Sequence, residues 1–162
     1  MSVTYREAVS SDAESMALAR AAGHWTGGAS ASVMARYLAG EHHPQQALLP
    51  RVAYVAEDGG EVVGFVAGHL TRRFGCAGEV QWIFVAPAHR GGTIATALLY
   101  RLAVWFADRS AARVCVNVAP DNFRATAFYV RHGAGVLNDH WLEWTNLAAA
   151  VQEDPSRAAP AV

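Results

Sequence analysis

The chain has 162 residues, of which 52% are hydrophobic, 10% aromatic and 17% charged, with a formal net charge of -1. That length holds one ordinary domain, and apolar content this high with so little charge excludes an intrinsically disordered chain. Thirteen basic residues against 14 acidic ones give no general pull toward nucleic acid or an anionic membrane. In chain order, Thr4–Val9 reads as a short first strand. Ser11, with Glu14 three residues on, has the form of a capping box that opens a helix through Met16, Leu18 and Arg20. Residues 23–32 break the pattern with Gly, Ser and Thr and carry His24 and Trp25. Val33–Leu38 resumes helical spacing and stops near Gly40, and Pro44 after His42-His43 ends regular structure.

From Arg51 the texture is that of strands. Val52–Ala56 leads into Asp58-Gly59-Gly60, a hairpin turn signal. Val62–Leu70 returns as a longer strand whose two alternating sets, Val63, Phe65, Ala67 and Val62, Gly64, Val66, are both apolar or small, which predicts a strand covered on both faces. After a turn at Arg72–Gly75, Glu79–Val85 is a third long strand, ended by Pro87. Ile94, Leu98, Leu102 and Trp105 fall at spacings of four, four and three, the apolar face of a helix starting at Thr93. Arg113–Val118 is a strand. Pro120-Asp121-Asn122 then caps a helix with Ala125, Phe128, Tyr129 and His132 on one side, and Gly133 and Gly135 stop it. Val136–Leu147 is a last extended stretch, and the tail, 148–162, is expected to be disordered. The order of elements predicts an α/β fold, helices on a mixed sheet, in one domain over 1–147.

No apolar run reaches the roughly 18 residues needed to span a bilayer, and Met1–Ala8 lacks the basic-then-apolar order of a signal peptide. Cys76 and Cys115 are the only cysteines and form no Cys-x-x-Cys pair, so neither a disulfide scaffold nor a zinc or redox motif is present. A reducing cytoplasm is the expected location. The histidines show no metal-ligand spacing, so no metal is expected. Every basic residue is Arg, which removes lysine as a catalytic amine.

The chemistry concentrates where the third long strand runs through Arg90-Gly91-Gly92 into the best helix. The first amides of a helix lack intrahelical acceptors and sit at the positive end of its dipole. Glycines there let a ligand approach the backbone, so the junction suits a phosphate or diphosphate, with Arg90 as a side-chain cation at its mouth. A tight strand-to-helix turn with glycine for conformational reasons is the plainer reading. There is no Gly-Lys-Ser/Thr and no Gly-x-Gly-x-x-Gly, which disfavours a P-loop and a dinucleotide fold.

Val85-Ala-Pro87, Arg90-Gly-Gly-Thr-Ile-Ala95 and Ala97-Leu98-Leu99 resemble the cofactor motif of the GNAT N-acetyltransferase superfamily. Thr93 departs from it, standing where the family usually has Gly. A second family-like motif follows in order, Asn122-Phe-Arg-Ala125-Thr-Ala-Phe128-Tyr129-Val-Arg-His-Gly133-Ala134. The resemblance covers about residues 3 to 147. It implies a GNAT-like acyl-CoA N-acyltransferase fold in which two splayed parallel strands, Gln81–Val85 and Val114–Val118, hold acetyl-CoA.

Residue by residue, the resemblance implies that Phe84 and Val85 bond the pantetheine arm as an added strand, and that Arg90, Gly91, Gly92, Thr93, Ile94 and Ala95 hold the diphosphate. Asn122 would bond the pantetheine or adenosine side, and Arg124 is either a phosphate contact or a solvated Arg. Tyr129 stands where the family places the acid that protonates the leaving thiolate; a core Tyr fits the same pattern. Glu79 stands where some members carry a general base, working directly or through water; the other reading is a strand-end carboxylate facing solvent. Asp139, His140 and His69 are further options for the base. Trp25, His69, Arg73, His140 and Trp141 are the acceptor-side candidates. The implied activity is acetyl transfer to a primary amine of a small or amino-acid-like acceptor. A non-catalytic acyl-CoA sensor and a protein or peptide N-acetyltransferase remain as alternatives. Neither nucleic acid nor membrane is an expected partner, and pairing into a homodimer through the last strands is a further implication.

Overall fold

The computed structural model describes residues 2–22, 30–44 and 46–157. Strand β1 (Val3–Glu7) is followed by helices α1 (Ala13–Ala22) and α2 (Ala31–Leu38), then by β2 (Ala47–Asp58), β3 (Glu61–Thr71) and β4 (Gly78–Val85). Helix α3 (Ile94–Asp108), β5 (Val114–Asn117), α4 (Phe123–Arg131), β6 (Gly135–Asn138), β7 (Trp141–Trp144) and α5 (Leu147–Ala150) complete the order. The strands form one sheet in the order β1-β2-β3-β4-β5-β7-β6, and only β4 and β5 run parallel.

The turn residues act as their chemistry requires. Gly59 and Gly60 have φ of 61° and 83°, the left-handed values a tight hairpin between β2 and β3 needs. From Val63 through His69 every residue of β3 is buried, because helices cover both faces of the sheet. On one face, Met16 of α1 and Met34 and Tyr37 of α2 pack on Val55, Phe65, Ala67 and Phe84. On the other, Leu98, Leu99 and Leu102 of α3 pack on Val66, Val80, Val114 and Val116. Each of these leucines is fully buried and contributes about 1.5–3 kcal/mol of transfer free energy.

Two features of β4 shape the surroundings of its C-terminal half. Its ladder with β5 is short, Gly78–Val80 against Val114–Val116, so the parallel strands part beyond that point. Its ladder with β3 is bulged: Val80 pairs with Gly68 and Trp82 with Ala67, leaving Gln81 as the extra residue. The bulge resets the alternation, so that Trp82 and Phe84 pack with the α1–α2 core while Val80, Ile83 and Val85 pack with the α3 core.

Several elements differ from the sequence expectation. The first helical turn is organised by Asp12, not by Ser11 and Glu14: the Asp12 carboxylate accepts the Val9 N–H at 2.8 Å and receives a fork from Arg6, both bonds 2.8 Å. β2 begins at Ala47, ahead of Arg51, with a register shift between Leu48 and Arg51. The stretch after Val136 folds back as the β6–β7 hairpin. The chain beyond residue 147 does not fray at once, which corrects the disordered tail for residues 148–157. Asn146 caps α5 by accepting the Ala149 N–H at 3.1 Å, Val151 is buried, and Asp154 pairs with Arg101 at 3.4 Å. The last five residues lie outside the described ones.

A Cβ added at Gly64 would stand 2.9 Å from the Phe84 carbonyl oxygen and 3.4 Å from the Ile94 and Leu98 side chains. Gly64→Ala is therefore expected to destabilise the fold by about 1–3 kcal/mol, read as a lower urea midpoint at unchanged m-value. The Arg6 fork, opposed by partial burial, holds the Asp12 carboxyl below its ordinary value. A lowered folded-state pKa adds stability above about pH 4 that is lost as pH falls through it. Asp12→Asn should thus be less stable than the native chain at neutral pH, with the gap narrowing toward about pH 2 in urea melts.

Candidate functional site

Beyond Val80 and Val116 the fork opens into a cleft of about 860 Å³. β4 contributes Ile83, Phe84 and Val85 to it, and the turn with the first turn of α3 contributes His89, Arg90, Gly91, Gly92, Ile94, Ala95 and Thr96. The α4 side adds Asn122, Arg124, Ala125, Ala127, Phe128, Tyr129, Arg131 and His132. Of the residues expected to bind a cofactor, the fold gathers all here except Thr93. Thr93 is the N-cap residue of α3 and does not line the cleft; its hydroxyl makes no capping bond.

No N–H from Gly91 through Thr96 donates to a carbonyl of the described residues. Gly91 sits at φ 84°, a left-handed value that suits glycine, and a Cβ at Gly92 would meet nothing within 4 Å. A run of amides without carbonyl partners therefore stands at the positive end of a 15-residue helix, bordered by open space at Gly91 and Gly92. Three arginines line the cleft and none of its lining residues is a carboxylate. Arg90 is anchored by its Nε, which donates to the Val85 carbonyl at 2.8 Å, with its guanidinium 5.5 Å from the Phe84 ring centre. Burial and then the nearby Arg124 charge lower its pKa. His89, also in the lining, pairs with Asp58, Nε2 to Oδ2 3.2 Å. The arrangement can hold a multiply charged anion against backbone.

Asn122 divides its side chain between two tasks. Its Oδ1 accepts the Ala125 N–H at 3.1 Å and caps α4, which leaves its NH2 as a donor for a ligand in the cleft it lines. Tyr129, 5% exposed, stands edge-on to Trp144 at 5.7 Å and to Phe128 at 5.6 Å. Burial raises the pKa of its phenol, so the group stays a proton donor at neutral and moderately alkaline pH.

Sequence reasoning did not single out Thr96 or His132 as site residues. Thr96 Oγ1 lies 3.0 Å from His132 Nε2, and His132 Nδ1 lies 2.8 Å from the Phe128 carbonyl. The contact ties the start of α3 to the end of α4 across the cleft. Only the helix-face spacing of His132 pointed toward it.

Glu79 belongs to a second cluster that does not line the cleft. It is 4% exposed, so it is not a strand-end carboxylate facing solvent. Arg73 Nε donates to its Oε1 at 2.9 Å. His69, its cross-strand partner, places Nε2 3.1 Å from Oε2, off the direction of the ring N–H, so the contact is electrostatic more than a well-formed hydrogen bond. The Tyr37 hydroxyl, which no sequence signal flagged, lies 2.8 Å from His69 Nδ1. The Arg73 guanidinium covers the Trp141 ring at 4.6 Å, and Phe74 meets that ring edge-on at 5.3 Å. The acceptor-side candidates His69, Arg73 and Trp141 thus gather around Glu79. His140 does not join them: it is exposed at the β6–β7 turn, where its backbone bonds Val118 and Asn138. Asp139 is exposed at the same turn. His24 and Trp25 lie outside the described residues. Among the described residues no group of three His, Cys, Asp or Glu could hold a metal ion, and no helix is long and apolar enough to cross a membrane.

Known structures share this architecture. The PaiA N-acetyltransferase from Thermoplasma acidophilum, solved in complex with coenzyme A, superposes with a TM-score of 0.69 at 15% identity, covering 89% of this chain and 99% of that one. Ard1 from Thermoplasma volcanium gives 0.70 at 18% identity, covering 88% and 97%. An acetyltransferase from Thermus thermophilus gives 0.65 at 18%, covering 88% and 96%. At such identities the likeness is one of fold. Residues 15–134, in turn, match the model of the Acetyltransferase (GNAT) family. That span contains β4, the bare amides and the whole of α4, so likeness of sequence and likeness of fold fall on the same elements: the chain belongs to the acetyltransferase (GNAT) family.

Proposed function

We propose that this protein is an N-acetyltransferase that moves an acetyl group from acetyl-CoA directly to a primary amine of a small or amino-acid-like acceptor. One observation carries the reading. The amides of Gly91–Thr96 have no carbonyl partner among the described residues, and all of these residues but Thr93 line a cleft with three arginines and no carboxylate in its lining. This is a cradle for a diphosphate, and the same cleft reaches Tyr129. Bound acetyl-CoA would supply the acetyl group as a thioester.

The chain's own residues would divide the work. The bare amides and Arg90 hold the diphosphate. The edge of β4 freed by the fork bonds the pantetheine arm near Phe84 and Val85. A strand amide near Ile83 or Phe84 stabilises the charge that grows on the carbonyl oxygen. Tyr129, kept protonated by burial, gives its proton to the leaving sulfur. Glu79 takes the proton that the amine must lose, through water, because its carboxylate sits behind Arg73 and outside the cleft lining. The acceptor side is walled by Trp141 and Arg73.

The direct experiment is a panel of small primary amines and short peptides with acetyl-CoA, followed by release of free thiol. Turnover with a small amine supports the reading, and turnover with peptides alone would redirect it to a peptide acetyltransferase. Tight binding of acetyl-CoA without turnover on any acceptor would make the protein a sensor and end the enzymatic reading.

Because a side chain at Gly92 enters empty space, Gly92→Glu should leave the melting temperature unchanged and set a carboxylate against the diphosphate. Calorimetry is expected to show coenzyme A affinity falling on the order of 10-fold or more, about 1.4 kcal/mol per decade. Unaltered affinity would place the diphosphate elsewhere. For Tyr129→Phe the expectation is a kcat lower by about 10²-fold or more with the dissociation constant for acetyl-CoA preserved; an equal kcat removes the phenol from the reaction.

A further inference from the structure

We propose that Tyr37 and His69 form a positioning device for Glu79, fixing the carboxylate's orientation for proton transfer from the acceptor amine; this rests on the reading of Glu79 as the base. Three polar groups from α2, β3 and β4 are stacked inward from Arg73. Tyr37 and His69 are fully buried and Glu79 nearly so. Around them the α1–α2 face of the core is apolar, with Met16, Met34, Phe65 and Trp82. Apolar side chains of similar volume would hold such a core at least as well, so stability alone gives no reason for the array.

The geometry selects one tautomer. Tyr37 Oη and His69 Nδ1 lie 2.8 Å apart; with the hydroxyl as the donor, the arrangement the neighbouring carboxylate favours, the ring proton is on Nε2, 3.1 Å from Glu79 Oε2. The opposite tautomer would press a bare Nε2 lone pair against a carboxylate oxygen. The phenol thus sets the ring, and the ring sets Nε2 3.1 Å from Oε2, off the N–H direction and so as an electrostatic contact, while Arg73 holds Oε1. Ring and carboxylate stand directly opposite each other in the β3–β4 ladder, so neither can drift along the sheet. Trp82 closes on the Tyr37 ring edge at 4.8 Å, and Arg51 lies 4.7 Å over its face, which holds the phenol in place.

The other groups near Glu79 do not compete for this role. Cys115 of β5 is its ladder partner, and Cys76 lies beside Cys115. Burial raises the pKa of both thiols, so both stay neutral. The outer end of the array is Arg73, whose side chain is 14% exposed and meets Trp141 on the acceptor side. Glu79 and Arg73 are therefore where the buried array meets the acceptor.

Long-range ¹H–¹⁵N spectra of histidine-labelled protein read the tautomer without any acceptor, and a His69→Gln sample identifies the His69 signals. The native chain should show His69 as the Nε2–H form, and Tyr37→Phe should keep that form but shift the Nδ1 resonance as the nitrogen loses its hydroxyl partner, while the melting temperature reports an intact fold. In the amine panel, Tyr37→Phe should lower kcat about 10-fold, the size of one hydrogen bond, with the KM for acetyl-CoA unchanged. His69→Gln, which keeps an N–H donor, should retain more activity than His69→Ala. A Tyr37→Phe protein with a native kcat overturns the proposal, whatever its Nδ1 signal, and leaves Glu79 untouched. If Glu79→Gln turns over at the native rate, the base reading falls and the device loses its catalytic purpose, even where the Nδ1 signal responds as expected.

Discussion

Three residue pairs hold β4 to β5, and the site exists because that ladder stops there. A parallel pair continued to Val85 would bury the edge of β4 in hydrogen bonds and leave no opening. Ended at Val80, it releases a strand edge whose backbone groups still require partners. The chain order then does the rest. The element after β4 is α3 and the element after β5 is α4, so the parting strands deliver the start of each helix to the two sides of one cleft. The bare amides come with the first helix, and the Asn122 cap and Tyr129 come with the second. Thr96 and His132, 3.0 Å apart, join the two walls.

The bulge at Gln81 sorts the chemistry by face. Without an extra residue, strict alternation would place Glu79, Ile83 and Val85 on one side of the sheet. With it, Ile83 and Val85 turn toward α3, while Trp82 and Phe84 pack against the α1–α2 core where Glu79 meets His69 and Tyr37. Ile83 and Val85, which line the cleft, thus face away from Glu79, which does not, while Phe84 borders the cleft from the α1–α2 side.

Charge is organised locally, not globally. The whole chain is nearly neutral, yet the cleft collects Arg90, Arg124 and Arg131 and no lining carboxylate. Elsewhere four arginines are neutralised by carboxylates, Arg6 by Asp12, Arg73 by Glu79, Arg101 by Asp154 and Arg113 by Glu143. Net charge therefore says nothing about the cleft, because the field a ligand meets depends on which charges have been neutralised by neighbours.

Much of the scaffold was legible in the residues alone, because it rests on short-range rules. Turn glycines at 59 and 60, the two-sided strand β3, the apolar stripe of α3, the glycine turn before it and the cap at Asn122 are each decided within a few residues by backbone sterics, periodicity or a local hydrogen bond. The positions of Gly91, Gly92 and Tyr129 in one cleft followed from motifs carried by those elements. Tertiary structure alone decided the rest. Tyr37 meets His69 across 32 residues, Thr96 meets His132 across 36, and Arg101 reaches Asp154 across 53, which packs a segment that composition would leave loose. The bulge at Gln81, the burial of Glu79 and the exclusion of His140 likewise depend on register between strands. Register is set by how whole faces pack, and no window of sequence contains both partners.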